Sequence, residues 1–260
     1  MEKQVSFELT KKINIIKDLG FDLDKDSVIM DFGCGSGKMV QELCGLGYKA
    51  YGIETRMTKE ENVDTEGMVK KGIIRTIDFD NYVLPFEDNT FDFIYSHSVF
   101  EHVSNYEESI SEIARVLKPG GFCLHCFPSK FRPVEPHIFV PFSSLIQSHW
   151  WIHVWVSLGI HNEWEDCQSA DERADRYYNY IKQETNYLTR KELSESFKIK
   201  FKDVKFCEDL FNKYSPRRGK YLYQLAKIFP FVPVLFSTFH TRVIFTSSPL
   251  KNGQAGFNMN

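Results

Sequence analysis

Four residues at fixed spacing carry the first chemical signal in this chain: Asp31, Gly33, Gly35 and Gly37, within VIMDFGCGSGKMV at 28–40. An apolar run (Val28, Ile29, Met30) ends in the carboxylate, and the glycines follow at alternate positions. Glycine lets the backbone turn sharply and lets a ligand approach where a Cβ would stand. The turn lies at the carboxyl end of a strand, where open α/β sheets bind ligands. The spacing discards two common nucleotide loops. Lys38 stands where a dinucleotide fingerprint has its third glycine, and Met39 follows Gly37-Lys38 where a phosphate loop needs Ser or Thr. A second carboxylate, Glu54, ends KAYGIE at 49–54, 17 residues after Gly37. A carboxylate there can accept from both hydroxyls of a ribose. Alone, Glu54 reads as a surface residue at a strand end; behind the glycine turn the ribose role is favoured.

These residues need a strand-turn-helix unit to position them, and the chain supplies a series of such units. Apolar positions Val5, Phe7, Leu9, Ile13, Ile16 and Leu19 predict an amphipathic helix over 5–19. Strands are predicted at 27–31, 49–54, 73–77, 91–95, 121–127, 201–209 and 240–248. Helices are predicted at 37–46, 106–117 and 189–197; Gly45 and Gly47 stop the first, KPGG (118–121) stops the second, and Thr189 with Glu192 caps the third. Residues 56–71 read as a weak helix or loop.

Motif I, D-x-G-x-G-x-G, resembles that of class I S-adenosylmethionine (SAM)-dependent methyltransferases. The block from Leu84 to Gly121 resembles the subgroup that includes the ubiquinone and menaquinone biosynthetic enzymes, the type 11-like methyltransferases. It carries LPFEDNTFD (84–92), EHV (101–103) and RVLKPGG (115–121) in order. The resemblance covers residues 25–127. It implies an α/β fold with a doubly wound, Rossmann-like, seven-stranded, mostly parallel sheet in the order 3-2-1-4-5-7-6, strand seven antiparallel, with helical cap insertions. One domain over 1–260 is expected, with an aromatic-rich insertion at 128–186 and a second at 210–238.

The resemblance further implies SAM as cofactor. Gly33, Cys34, Gly35 and Gly37 would pass close to its methionine part, and Asp31 would orient the loop or meet the amino group. Glu54 would take the ribose, Asp78 and Phe79 the adenine, while Ser96 and His97 would border the sulfonium. Methyl transfer from a sulfonium is an in-line displacement by an already activated reagent, so positioning supplies much of the catalysis. An oxygen acceptor also needs a base, and histidine suits neutral pH. His97 and His137 (in EPH, 135–137) are the candidates; His102 is a third, with packing at a helix start as its stronger reading. His125, inside a strand, reads as structural. Glu101-His102 also resembles the E-x-x-E-H of metal-binding methyltransferases. Ser98 replaces the first Glu, so no metal is expected.

Charge gives no global case for nucleic acid: 32 basic residues stand against 35 acidic, a net charge of −3. There is no apolar signal-peptide core and no apolar run of about 18 residues, so no transmembrane helix is expected. A cytoplasmic location with reduced thiols follows as the expectation. Cys123 and Cys126 form C-x-x-C in a strand-like run, where positions i and i+3 face opposite ways, so core packing is the better reading. The segment 128–186 gathers Trp150, Trp151 and Trp155 beside His149 and His153. Helices are predicted at 142–158 and 169–186, the first either a lid over the acceptor or a homodimer interface. SPRRGK (215–220) reads first as a solvated loop and second as a phosphate or headgroup contact through Arg217 and Arg218, with peripheral membrane contact through 215–236. Three functions fit: a methyltransferase acting on oxygen or nitrogen of a small molecule or saccharide; a nucleic-acid or protein methyltransferase; and a non-catalytic SAM-binding protein. The intact glycines, Glu54, Asp78 and the neutral charge favour the first.

Overall fold

Alternation along the strands decides the layering. The computed structural model describes residues 5–78, 82–162 and 169–249. In chain order the elements are α1 (Phe7–Asp18), β1 (Val28–Phe32), α2 (Lys38–Gly45), β2 (Lys49–Glu54), α3 (Thr65–Lys70), β3 (Ile74–Thr76), β4 (Phe91–His97), a 3-10 turn (Phe100–His102), α4 (Tyr106–Val116), β5 (Leu117–Pro128), α5 (His149–Ser157), α6 (Ala170–Gln183), α7 (Arg190–Lys198), β6 (Phe201–Phe206), α8 (Glu208–Lys213), α9 (Arg217–Ile228), α10 (Val232–Phe239) and β7 (Thr241–Pro249). Met30, Ile94 and Cys123 point to one face of the sheet, with Ile110 and Ile113 of α4 and Phe197 of α7. Ile29, Phe93, Leu124 and Cys126 point to the other, with Ile15 and Ile16 of α1 and Val40 of α2. Neighbouring residues of each strand thus serve opposite layers, as the period of two requires, and Cys123 and Cys126 face apart.

The sheet has seven strands in the order β3-β2-β1-β4-β5-β7-β6. β1 pairs in parallel with β2 and β4, and β4 with β5; β7 runs antiparallel to both β5 and β6. The expected fold class and strand order hold. Thr189 and Glu192 form the expected capping box at α7.

Several local expectations change. The strand expected over 201–209 ends at Phe206, and α8 starts at Glu208. β4 runs two residues past its expected end, which carries Ser96 and His97 into the strand and sends their side chains to opposite faces. The helix expected from 142 begins only at His149. Phe139 and Phe142 have φ of 60° and 53°, and Val134 and Pro141 form a bridge, so a looped path replaces the first turns. SPRRGK is not a loop: Pro216 precedes α9, which starts at Arg217. A third apolar cluster lies wholly within 138–181. It joins Ile138, Val140, Ile152, Val156, Tyr177 and Ile181, with Trp151 and Trp155 half-buried against it.

Candidate active site and cofactor cavity

The carboxyl ends of β1, β2 and β4 open into a cavity of about 510 Å³, walled by Gly33, Gly35, Glu54, Thr55, Ile77, Tyr82, His97, Val99, His102, Tyr180 and Glu184 among others. The glycine turn sits at its floor for reasons that differ along it. Gly33 has φ +80°, and a Cβ there would lie 2.2 Å from a Val99 methyl; Gly37 has φ +85°, and a Cβ would lie 2.3 Å from Ile74. Left-handed backbone and protein packing therefore require these two. Only at Gly35 is the space open, with nothing nearer than 3.4 Å to a Cβ, and this glycine faces the cavity. Its N–H donates to Glu54 Oε2 at 2.6 Å, while Thr55 N–H donates to Oε1 at 2.8 Å. The turn and the carboxylate thus fix each other, and the carboxylate retains lone pairs for a ligand.

Several residues expected in the site lie outside it. Asp31 is buried behind the turn, facing α1, where burial raises its pKa to about 7, Lys12 opposes the rise and Glu54 adds to it. Cys34 is buried with its Sγ against Gly52, and its N–H donates to Ile53 O at 3.0 Å. Ser96 is fully buried and pairs with His125 Nδ1 at 2.8 Å, on the face of β4 turned from the cavity. Neither Cys34 nor Ser96 is on the cavity wall. His125 is structural, as expected; burial pushes its pKa down to about 3. Asp78 is exposed just beyond Ile77, which lines the cavity and donates its N–H to Glu54 O at 3.1 Å. Phe79 lies outside the described residues.

The histidines divide. His97 opens into the cavity at the end of β4. Protein packed around the ring pushes its pKa down, to about 4, and Lys12 adds to this; the ring is also exposed, so water offsets part of that cost. His102 lies on the opposite wall and bonds through Nδ1 to the carbonyl of Glu184 at 2.6 Å. A carbonyl only accepts, so Nδ1 carries the proton and Nε2 keeps its lone pair. His137 stands behind His102, ring centres 4.9 Å apart, and its Nδ1 meets Glu135 Oε1 at 2.8 Å. Glu135 is buried; burial alone would raise its pKa, but His137, the Ile138 N–H and Tyr187 hold it low. Glu101, with Oε1 4.0 Å from His102 Nε2, is fully buried with neither carboxylate oxygen hydrogen-bonded, and burial raises its pKa to about 8.

Tyr82, Val99, Tyr180 and Glu184 were not expected on the wall. For the last two a signal exists: Ala174, Tyr177 and Ile181 form the buried stripe of α6, and Tyr180 and Glu184, four apart, run beside it. None of residues 142–158 lines the cavity. Instead α5 packs on α6, with His149 and His153 bonded to Asp175 and Asp171 at 2.8 Å.

Residues 30–125 match the protein family described as a methyltransferase domain. This stretch, just over a third of the chain, is similar to that family. Among curated relatives, the chain is 32% identical over 103 residues to a sterol 4-C-methyltransferase of Caenorhabditis elegans, which covers 38% of this chain and 30% of that protein. It is 36% identical over 105 residues to a sterol 24-C-methyltransferase of Schizosaccharomyces pombe, 36% of this chain and 26% of that one. It is 32% identical over 128 residues to a demethylmenaquinone methyltransferase of Staphylococcus aureus, 45% and 49% of the two. The chain thus spans half or less of the length of these relatives. Among solved structures, phosphoethanolamine N-methyltransferase 2 of Haemonchus contortus, in complex with phosphomonomethylethanolamine and S-adenosylhomocysteine, superposes over 93% of this chain and 53% of that one. The TM-score is 0.53 at 15% identity, a likeness of fold.

Proposed function

We propose that the protein is a SAM-dependent methyltransferase that methylates an oxygen or nitrogen of a small-molecule or saccharide-type acceptor. Glu54 carries this reading: its carboxylate is locked to the Gly35 N–H on the wall of a cavity at the switch between β1 and β4. The ribose of SAM would lie on Glu54, its adenine toward Ile77 and Tyr82, and its sulfonium toward His97. The acceptor would enter beside Tyr180 and Glu184. His97, neutral at neutral pH, can take the acceptor's proton.

Calorimetry with SAM and its demethylated product tests the cofactor site. Glu54→Ala should leave the fold intact and weaken binding by about 1.5–3 kcal/mol, the range for a hydrogen bond to a charged group. Unchanged affinity would remove the assignment. Methyl release over pooled metabolites, glycans and RNA tests the acceptor class, and transfer to RNA alone would sink the small-molecule reading.

The acceptor is carried on, or delivered from, a membrane surface in a second reading, which α9 and α10 favour. Ile228 and Phe231 are 69% and 57% exposed, with Leu225, Val234, Leu235 and Phe239 also open and Arg218, Lys220 and Lys227 exposed among them. Apolar side chains flanked by cations suit an anionic lipid surface. No helix among the described residues is long and apolar enough to cross a membrane. Sedimentation with anionic phospholipid vesicles should carry the protein down, and Ile228→Asp with Phe231→Asp should prevent it. Equal recovery with neutral vesicles, or dimerisation in place of lipid binding, would overturn this second reading.

A further inference from the structure

We propose that Glu101, His102 and His137 form a binding site for one divalent transition-metal ion at the acceptor end of the cavity. One ligand atom from each lies within 4.8 Å of the other two. The expectation of no metal rested on Ser98 within residues 98–102. The fold brings the further donor from 36 residues beyond Glu101, on the segment after β5.

Three independent features fit an ion. Glu101 is fully buried, and both its oxygens lack hydrogen-bond partners. Buried carboxylates without partners are rare because desolvation is costly. An ion would supply what is missing. Both imidazoles are held by their Nδ1, His102 on a backbone carbonyl and His137 on Glu135. Metal-ligating histidines almost always donate their other ring N–H in this way, to a carbonyl or a carboxylate. Glu135 is itself fixed by the Ile138 N–H at 2.8 Å and by the Tyr187 hydroxyl at 2.7 Å, so the outer support is complete. Finally, the surrounding charge attracts a cation: Glu135 and Glu184 stand against Arg132.

The donor set, two imidazoles and one carboxylate, is that of zinc sites that keep a fourth position for water or substrate. Imidazole ligands suit zinc, copper, iron and nickel over magnesium or calcium. Donors about 2.1 Å from a tetrahedral ion are about 3.4 Å apart. Binding therefore draws the three atoms together by up to ~1.4 Å, within reach of the two half-buried rings. His102 and Tyr180 line the cavity, so the ion's open position would face an acceptor oxygen and orient it. That role rests on the methyl-transfer reading; the binding itself does not.

Chelator-stripped protein titrated with Co²⁺ and with Zn²⁺, followed by calorimetry and by the visible Co²⁺ spectrum, tests the site. Uptake of a single equivalent at micromolar concentration is expected. Glu101→Gln, which keeps shape, and His137→Asn should each weaken it by roughly 100-fold, and Glu135→Gln by about 10–100-fold through the freed His137 ring. Thermal unfolding of each variant separates lost ligands from lost fold. No uptake by the wild type, or equal uptake by folded Glu101→Gln and His137→Asn, would overturn the proposal and leave Glu101 a protonated buried acid. SAM calorimetry on the same samples keeps the two readings apart. Metal uptake without SAM binding removes the methyltransferase reading and leaves the metal site standing.

Discussion

At the glycine end of the cavity, position is set by backbone. Gly33 and Gly37 hold left-handed conformations that a side chain would strain, and the Gly35 N–H locks Glu54 in place. At the cap end, position is set by side chains from distant parts of the chain. Glu135 holds His137, the Glu184 carbonyl holds His102, and Tyr180 reaches the wall from a helix whose other face packs α5. The contrast has a physical consequence. Backbone fixed by sheet hydrogen bonds leaves little room to change, whereas a wall of side chains can be rebuilt residue by residue without disturbing the sheet. One end suits a constant reagent, and the other suits an acceptor that differs between proteins of the same fold.

If that division is right, the largest effect belongs to Gly33→Ala. The left-handed φ costs about 1–3 kcal/mol for a non-glycine residue. Forcing a Cβ to 2.2 Å from Val99 adds an overpacking cost of about 1–3 kcal/mol. Urea unfolding should show a loss of about 2–6 kcal/mol, with SAM binding impaired. Adding Val99→Ala should return only the packing part. Full recovery in the double variant would mean that backbone conformation is not what fixes this end.

The next effect is at the cap. Trp151 is half-buried in the cap cluster and donates its indole N–H to Pro141 O at 2.7 Å. Trp151→Ala should cost about 2–3 kcal/mol, below the range for a fully buried aromatic, and SAM affinity should not move. None of residues 142–158 lines the cavity; α6 supplies Tyr180 to its wall and α5 packs on α6, so any part of Trp151 in covering a ligand would run through α6. A variant that unfolds normally but loses turnover would restore direct contact by the tryptophan.

What the sequence could show follows the same division. The glycine turn, Glu54, the strand order and the capping box at Thr189 are legible because each is a local pattern or part of a motif with fixed spacing. Ser96 turns away from the cavity because β4 runs two residues past its apolar pattern, so strand alternation sets its side chain opposite that of His97. Cys34 was misread because it sits among ligand-facing glycines while its own side chain turns into the core. In the sequence Glu101 and His102 read together as a partial metal motif and His137 reads as a separate base candidate; the meeting of all three depends on contacts across 36 residues that no local period encodes. Tyr180 and Glu184 lie on a helix whose polar composition gave the fold of the cap but not its direction.

Tyr180→Phe should give the smallest effect and the sharpest view of the division. The ring is half-buried and lines the cavity together with His102 and Glu184. Ring centres lie 6.3 Å from His102 and 5.5 Å from His137, so the aromatic packing survives the change and only the hydroxyl leaves. A single neutral hydrogen bond contributes about 0.5–1.5 kcal/mol. The acceptor's KM should therefore rise roughly 2–10-fold, with SAM affinity and the unfolding midpoint unchanged. A shift in SAM affinity instead would place the hydroxyl on the cofactor, and the boundary between the two ends would have to move from α6 to the glycine side of it. Unchanged KM and SAM affinity would leave Tyr180 a wall residue only, and the acceptor's polar contacts would then have to come from Glu184 and the histidines.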